Sequence, residues 1–267
     1  MKVRQPAVAG TFYPGDAATL RRTVEGLLAE VEPRALRPKA LIAPHAGYIY
    51  SGPIAASAYA LLPALAGQIR RVVLLGPSHF VPLAGHALPG VDAFATPLGD
   101  IPLDREAIAT VEKHPSVTVM PVAHMREHSL EVHLPFLQVV LRDFTLVPLA
   151  VGHAQPEETA ALLELLWGGP ETLVVISSDL SHYHAYGAAA VLDRETTEAI
   201  ERLDGRFIDG EHACGCHPIR GLLHLAKRNG LSVVTLDQRN SGDTAGDRSR
   251  VVGYGAWAFV GPEARPG

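Results

Sequence analysis

Ala40-Leu41-Ile42-Ala43-Pro44-His45-Ala46-Gly47-Tyr48-Ile49-Tyr50-Ser51-Gly52 decides the fold. Ala40 to Ala43 is a short apolar run with the character of a buried strand. Pro44 ends it, because proline has no N–H to give to a sheet ladder. His45 follows at once, and Gly47 and Gly52 then frame two tyrosines in what reads as a flexible aromatic loop. The same order returns at Val72 to Leu75, closed by Gly76-Pro77 and followed by Ser78-His79. It returns again at Leu173 to Ile176, followed by Ser177, Ser178, Asp179 and His182. Ligands of open α/β sheets bind outside the carboxyl ends of the strands. Three such ends carrying polar side chains therefore predict one site.

Working outward, the first fourteen residues read as an ordered extended segment, and Asp16 as the N-cap of a helix with Leu20, Val24, Leu27, Leu28 and Val31 on one face. Pro53 suits the first turn of the next helix, which runs to about Leu65. Phe80 to Asp100, rich in glycine and proline, reads as an excursion over the active edge, with a helix near Asp104 to His114 after it. Met120 to Gln138 has a helical stripe at Leu130, Leu134, Leu137 and Leu141, with Pro135 at a kink. Later strands are expected at Phe144 to Val151, Val233 to Leu236 and Val251 to Val260, and a loop from Asp237 to Arg250. Helices are expected at Glu157 to Trp167, Ala185 to Leu203 and Ile219 to Arg228. Alternating strands and helices predict a three-layer α/β/α sandwich with a mainly parallel central sheet and an antiparallel edge from the last strands. One domain spanning 1–267 is expected.

The composition narrows the function. A net charge of −5 and no long basic run argue against nucleic-acid binding. No apolar stretch reaches the roughly 18 residues of a membrane span. There is no signal-peptide pattern, and two cysteines do not make a disulfide framework, so a cytoplasmic protein is expected. The 13 histidines are the unusual feature.

His45 and His79, at equivalent strand ends, are imidazole donors of the kind a metal site needs, although each alone would serve as a loop-capping group. Asp179 and His182 suit acid–base work or further ligation, with a helix cap as the plain reading of the aspartate. Cys214 is a candidate soft ligand or a buried inert thiol. His124-Met125-Arg126-Glu127-His128 matches a zinc-peptidase pattern that works only on a helix. Pro121 and the late start of the apolar stripe argue against that helix, leaving Glu127 and His128 to line the cleft. Glu131 and His133 read equally well as solvent-facing.

Several blocks resemble the Memo family. They are Val3-Arg4 to Pro14, Ala43 to Gly52, Gly76 to His79, Glu127 to Gln138, Ser177 to Tyr183 and Cys214 to Ile219. The resemblance implies a fold similar to the class III extradiol dioxygenases, which open catechol rings with non-haem Fe(II). It implies His45, His79 and Cys214 as metal ligands. It also implies His182 as the acid–base histidine with Asp179 beside it. His128 joins these as a catalytic group, with Tyr48, Tyr50 and Ser78 lining the cleft. A thiolate replaces the dioxygenases' carboxylate ligand, which favours softer metals, so iron or copper is expected, with zinc as an alternative. His133 stands where the family has Gln, and Cys216 where a basic residue is usual, bringing a second thiol within reach. A small-molecule or peptide ligand is implied, as is association with radical-SAM and AMMECR-like proteins. The leading reading is a metal-dependent redox protein. A binding module that kept the cleft without catalysis, and a metal-assisted hydrolase, are the alternatives.

Overall fold

The computed structural model describes residues 1–261; positions 262–267 of the expected domain lie outside the described residues. In chain order, β1 (Val3–Arg4), α1 (Ala17–Ala29), β2 (Pro38–Ala43), α2 (Tyr48–Tyr59) and β3 (Arg71–Pro77) come first. They are followed by β4 (His86–Leu88), β5 (Ala93–Thr96), β6 (Gly99–Pro102), α3 (Arg105–Val111), β7 (Val117–Val119), α4 (Pro121–Met125) and α5 (Leu134–Val140). Then come β8 (Thr145–Val151), α6 (Pro156–Leu166), β9 (Thr172–Ser177), β10 (His182–His184) and α7 (Tyr186–Glu201). The chain closes with α8 (Cys216–Arg228), β11 (Ser232–Asn240), α9 (Ser241–Thr244) and β12 (Val251–Val260).

The main sheet runs β10-β12-β2-β9-β3-β8-β4-β7, with β11 also on β12. Its centre, β2-β9-β3-β8, is parallel. β12 joins β2 antiparallel, and β4 joins β8 antiparallel. The sheet is therefore mixed, with a parallel heart and antiparallel flanks on both sides. Alternate side chains point to opposite faces of a strand, and the core divides accordingly. Leu41, Val72, Leu74 and Val175 pack with α1, α2 and α5, whereas Ile42, Val73, Leu75 and Ile176 pack with α6 and α8. This is the expected three-layer arrangement. Among the described residues no helix is long and apolar enough to cross a membrane.

Asp16 caps α1 as expected, its carboxylate accepting the Thr19 N–H at 2.8 Å. Four local expectations differ. The aromatic loop is the start of α2, and Pro53 lies inside that helix rather than in its first turn. Burial decides it: Tyr48, Ser51, Ile54, Ala55, Ala58 and Tyr59 all pack inward, and this outweighs the loop-like glycines and tyrosines. The excursion after Phe80 is strand-rich. β4 extends the main sheet, while β5 and β6 form a small second sheet with β1. The Met120–Gln138 stripe splits into α4, a 3₁₀ turn at Glu131–His133 and α5, with Pro135 in the first turn of α5. A proline there loses no hydrogen bond, so it starts a helix instead of kinking one. Finally, the expected loop after Leu236 is β11 as far as Asn240, then α9.

Candidate metal centre

His45 sits immediately beyond β2, buried to 2% exposure. Its backbone N–H donates to Asp179 Oδ1 at 2.8 Å. Its ring Nδ1 lies 2.6 Å from Ser177 Oγ, and that hydroxyl donates its one proton to Ser129 O at 2.6 Å. Toward His45 the hydroxyl can therefore only accept, so Nδ1 carries the ring proton and Nε2 keeps its lone pair, facing Cys214 Sγ. Burial, reinforced by the neighbouring histidines His79, His128, His133 and His182, pushes the His45 pKa well below its ordinary value. The ring is neutral, as a metal ligand must be.

His79 follows β3, and Glu127 orients it twice. The His79 N–H donates to Glu127 Oε2 at 2.6 Å, and its Nδ1 lies 2.9 Å from Oε1. Burial works against charge on Glu127, yet the hydrogen bonds from His79 and from the Ser129 N–H hold its pKa at about 2. An ionised carboxylate only accepts, so His79 also has its proton on Nδ1 and Nε2 free. A carboxylate behind a ligating imidazole fixes its tautomer and direction. Gly76 lets the Glu127–Ser129 turn approach, since a Cβ there would lie 2.8 Å from Ser129 Oγ.

His128 completes the group. Its ring stacks on His79 at 4.8 Å and meets His45 edge-on at 5.5 Å. One donor atom from each of His45, His79 and His128 falls within 4.8 Å of the others. Three imidazoles brought from three separate segments have the donor set of a first-row transition-metal site. Burial lowers the His128 pKa, so its ring too favours the neutral form.

Cys214 lies against this group on one side, with Sγ 3.4 Å from His45 Nε2. Gly215 makes this possible: its N–H donates to Ser178 Oγ, and a Cβ there would stand 2.6 Å from Ser177 O. Burial and the charge of Asp179 push the Cys214 thiol pKa up, so the sulfur is a protonated thiol in the metal-free chain. Asp179 Oδ2 is 3.9 Å from His45 Nε2, and burial raises the pKa of this carboxyl. His182 opens β10 with Nδ1 2.8 Å from Leu180 O, a bond that leaves Nε2 as its basic atom. The next residue, Tyr183, holds a left-handed φ of 63°, a strained conformation of the kind that collects at functional sites.

The strand-end residues thus converge, as does His128. The proposed cleft residues divide. Tyr48 is buried behind the site, donating its hydroxyl to Val132 O at 2.8 Å. Tyr50 stands exposed, and Ser78 turns its hydroxyl to Val81 O at 2.7 Å. His124 does not join the group, since its ring bonds Ala87 O at 2.8 Å and α4 ends before Glu127. The peptidase pattern therefore has no shared helical face. Glu131 and His133 are buried rather than solvent-facing. Glu131 is engaged by hydrogen bonds, and His133 by the Tyr59 hydroxyl at 2.7 Å. Cys216 does not offer a second thiol at the surface of the site; it packs in the core with Ile219 and Ala213. Sequence reading missed the paired roles of Ser177 and Glu127, and the rings of Phe12 and Phe80 placed 4.8 and 6.0 Å from His128.

Fold and site define an α/β protein with a histidine group of metal-binding form at the carboxyl edge of its parallel strands. Comparison with known proteins gives the family. The profile described as Memo-like protein matches residues 4–258. A MEMO1 family protein of Aquifex aeolicus (strain VF5) is 37% identical over 272 residues, spanning 97% of this chain and 100% of the relative. One from Ignicoccus hospitalis is 38% identical over 290 residues, spanning 98% and 100%. One from Sulfolobus acidocaldarius is 35% identical over 277 residues, spanning 94% and 97%. The chain belongs to the Memo family.

Proposed function

We propose that the chain is a transition-metal-dependent redox protein. In this reading His45, His79 and His128 are imidazole donors and Cys214 is a thiolate donor beside His45. The observation that carries it is the convergence of three imidazoles, two of them with Nδ1 tied to internal acceptors and Nε2 left free. Iron or copper suits the redox reading, and zinc would be held by the same donors. A metal held by these residues would supply electron transfer to a small molecule or peptide in the cleft. The chain's own residues do the rest. Ser177 and Glu127 fix two ring directions. Asp179 accepts the His45 N–H and so holds the loop after β2. His182, with Nε2 as its basic atom, takes a proton from a substrate hydroxyl. Phe12 and Phe80 wall the approach to His128.

Metal analysis of protein purified without a histidine tag, under anaerobic conditions, tests this. The expected result is metal at one equivalent per chain after reconstitution with Fe(II), Cu(I) or Zn(II). Failure of all three to bind would leave a binding module in its place.

A further inference from the structure

Resting on the metal reading above, we propose that the N-terminal segment latches the site, with Arg4 as a positioning residue for His79 and His128. α4 ends at Met125, and the last carbonyls of a helix have no partners within it. Arg4 reaches His124 O at that end, which also takes the Arg126 N–H, and Glu127 O in the turn beyond it, from more than a hundred residues away. Its Nε donates to His124 O at 2.9 Å and its Nη2 to Glu127 O at 2.6 Å. Its Nη1 pairs with the Glu131 carboxylate. Glu131 in turn accepts the Ala7 N–H at 2.7 Å, the Val8 N–H at 3.0 Å and the Tyr13 hydroxyl at 2.5 Å. Arg4 is 7% exposed and Glu131 fully buried, with the Phe94 ring 5.1 Å from the guanidinium carbon.

A buried ion pair adds little net stability, because desolvating both charges offsets their attraction. What this pair supplies is geometry. The residue whose backbone Arg4 grips is Glu127, whose carboxylate directs the His79 ring, and the following residue is His128. One guanidinium therefore fixes the turn on which two of the three imidazoles depend. His45 is held separately, through Ser177 and Asp179. The planar fork of arginine meets three acceptors at once, which the point charge of lysine does not reproduce.

The test compares Arg4→Lys with Leu163→Ala, a core truncation in α6 on the opposite face of the sheet. Three quantities are measured: Tm, Zn(II) affinity, and hydrogen exchange of the His79 and Ser129 amides in metal-free protein. Both amides donate to the Glu127 carboxylate. Arg4→Lys keeps the charge opposite Glu131 and loses the fork. Its Zn(II) affinity is expected to fall ~10–100-fold, as for other residues that orient a ligand, and both amides to exchange faster. Leu163→Ala is expected to lower Tm while leaving affinity and these amides unchanged. Wild-type affinity and exchange in Arg4→Lys would overturn the proposal, as would equal loosening of the site by Leu163→Ala. If Arg4→Lys fails to fold, Tyr13→Phe, which cuts one bond to Glu131, takes its place. Unchanged exchange at the His79 amide there would overturn it equally. A wild-type chain that binds no metal defeats the metal reading, and the exchange measurement then judges the latch alone.

Discussion

β2 carries a polar side chain near each end, and the two have opposite fates. At its start, the Lys39 amine donates to the carbonyls of Trp167, Gly169 and Thr172, so all three of its N–H groups have acceptors. Just past its end, His45 has one ring nitrogen tied to Ser177 and the other turned toward Cys214 and the two further imidazoles. A buried polar group with every partner supplied is structural. A buried group held in a fixed direction, with one lone pair left for a ligand, is built for binding. A nitrogen facing other donor atoms, in place of backbone acceptors that use up every N–H, therefore separates the working edge of this sheet from its scaffold edge.

The largest expected effect breaks the working end. His45→Ala combined with His79→Ala should abolish stoichiometric metal binding while circular dichroism stays that of the parent; retained metal would erase the contrast with Lys39. Cys214→Ser is the next step down. The thiolate is the form that coordinates, so metal binding should release a proton from Cys214 and shield it from alkylation. The serine variant should lose Cu(I) affinity more than Mn(II) affinity, read by competition titration. Cys216, buried in the core, should resist alkylation with or without metal.

At the other end, Lys39→Met should leave metal affinity untouched and lower stability by about 1 kcal/mol, because three carbonyls lose a donor near the surface. Its pH dependence sharpens the point. Burial, only partly offset by Glu171, brings the Lys39 pKa down to about 8 from 10.5. Between those values the unfolded chain holds a proton that the folded chain lacks, so stability rises with pH across that window. Denaturant titrations from pH 8 to 10.5 should show this rise in the parent and not in Lys39→Met. The acid limb holds the counterpart at His133, whose pKa burial lowers to about 3 from 6.5. Its contribution to stability is full above pH 6.5 and declines as pH falls toward 3. His133→Gln should flatten that part of the acid limb, and an unchanged slope would count against the burial.

Much of this was legible in the sequence because it is local. An apolar run, a proline or glycine stop and a histidine are adjacent in the chain, so the ends of β2, β3 and β9 could be read directly. Asp179 was legible in the same way after β9, whereas Cys214 stood open between soft ligand and inert thiol until the family resemblance implied ligation; the structure places both beside His45. What could not be read depends on distant partners. Nothing near Ser177 announces that its hydroxyl accepts from His45 and donates to Ser129. Nothing near Glu131 says that Arg4, Ala7, Val8 and Tyr13 return to it, which is why it read as a surface residue. The start of α2 was misread for a related reason. Gly47, Tyr48 and Tyr50 have loop character on their own, and only the inward packing of Tyr48, Ile54 and Tyr59 makes the segment helical.

The central claim is that these imidazoles and the thiol form one metal-binding set. X-ray absorption of the zinc-loaded chain tests it most directly. The account predicts three nitrogen scatterers with imidazole signatures at ~2.0 Å and one sulfur at ~2.3 Å, with the sulfur shell absent in Cys214→Ser. A shell of oxygen alone, or a spectrum unchanged by His45→Ala, would contradict it.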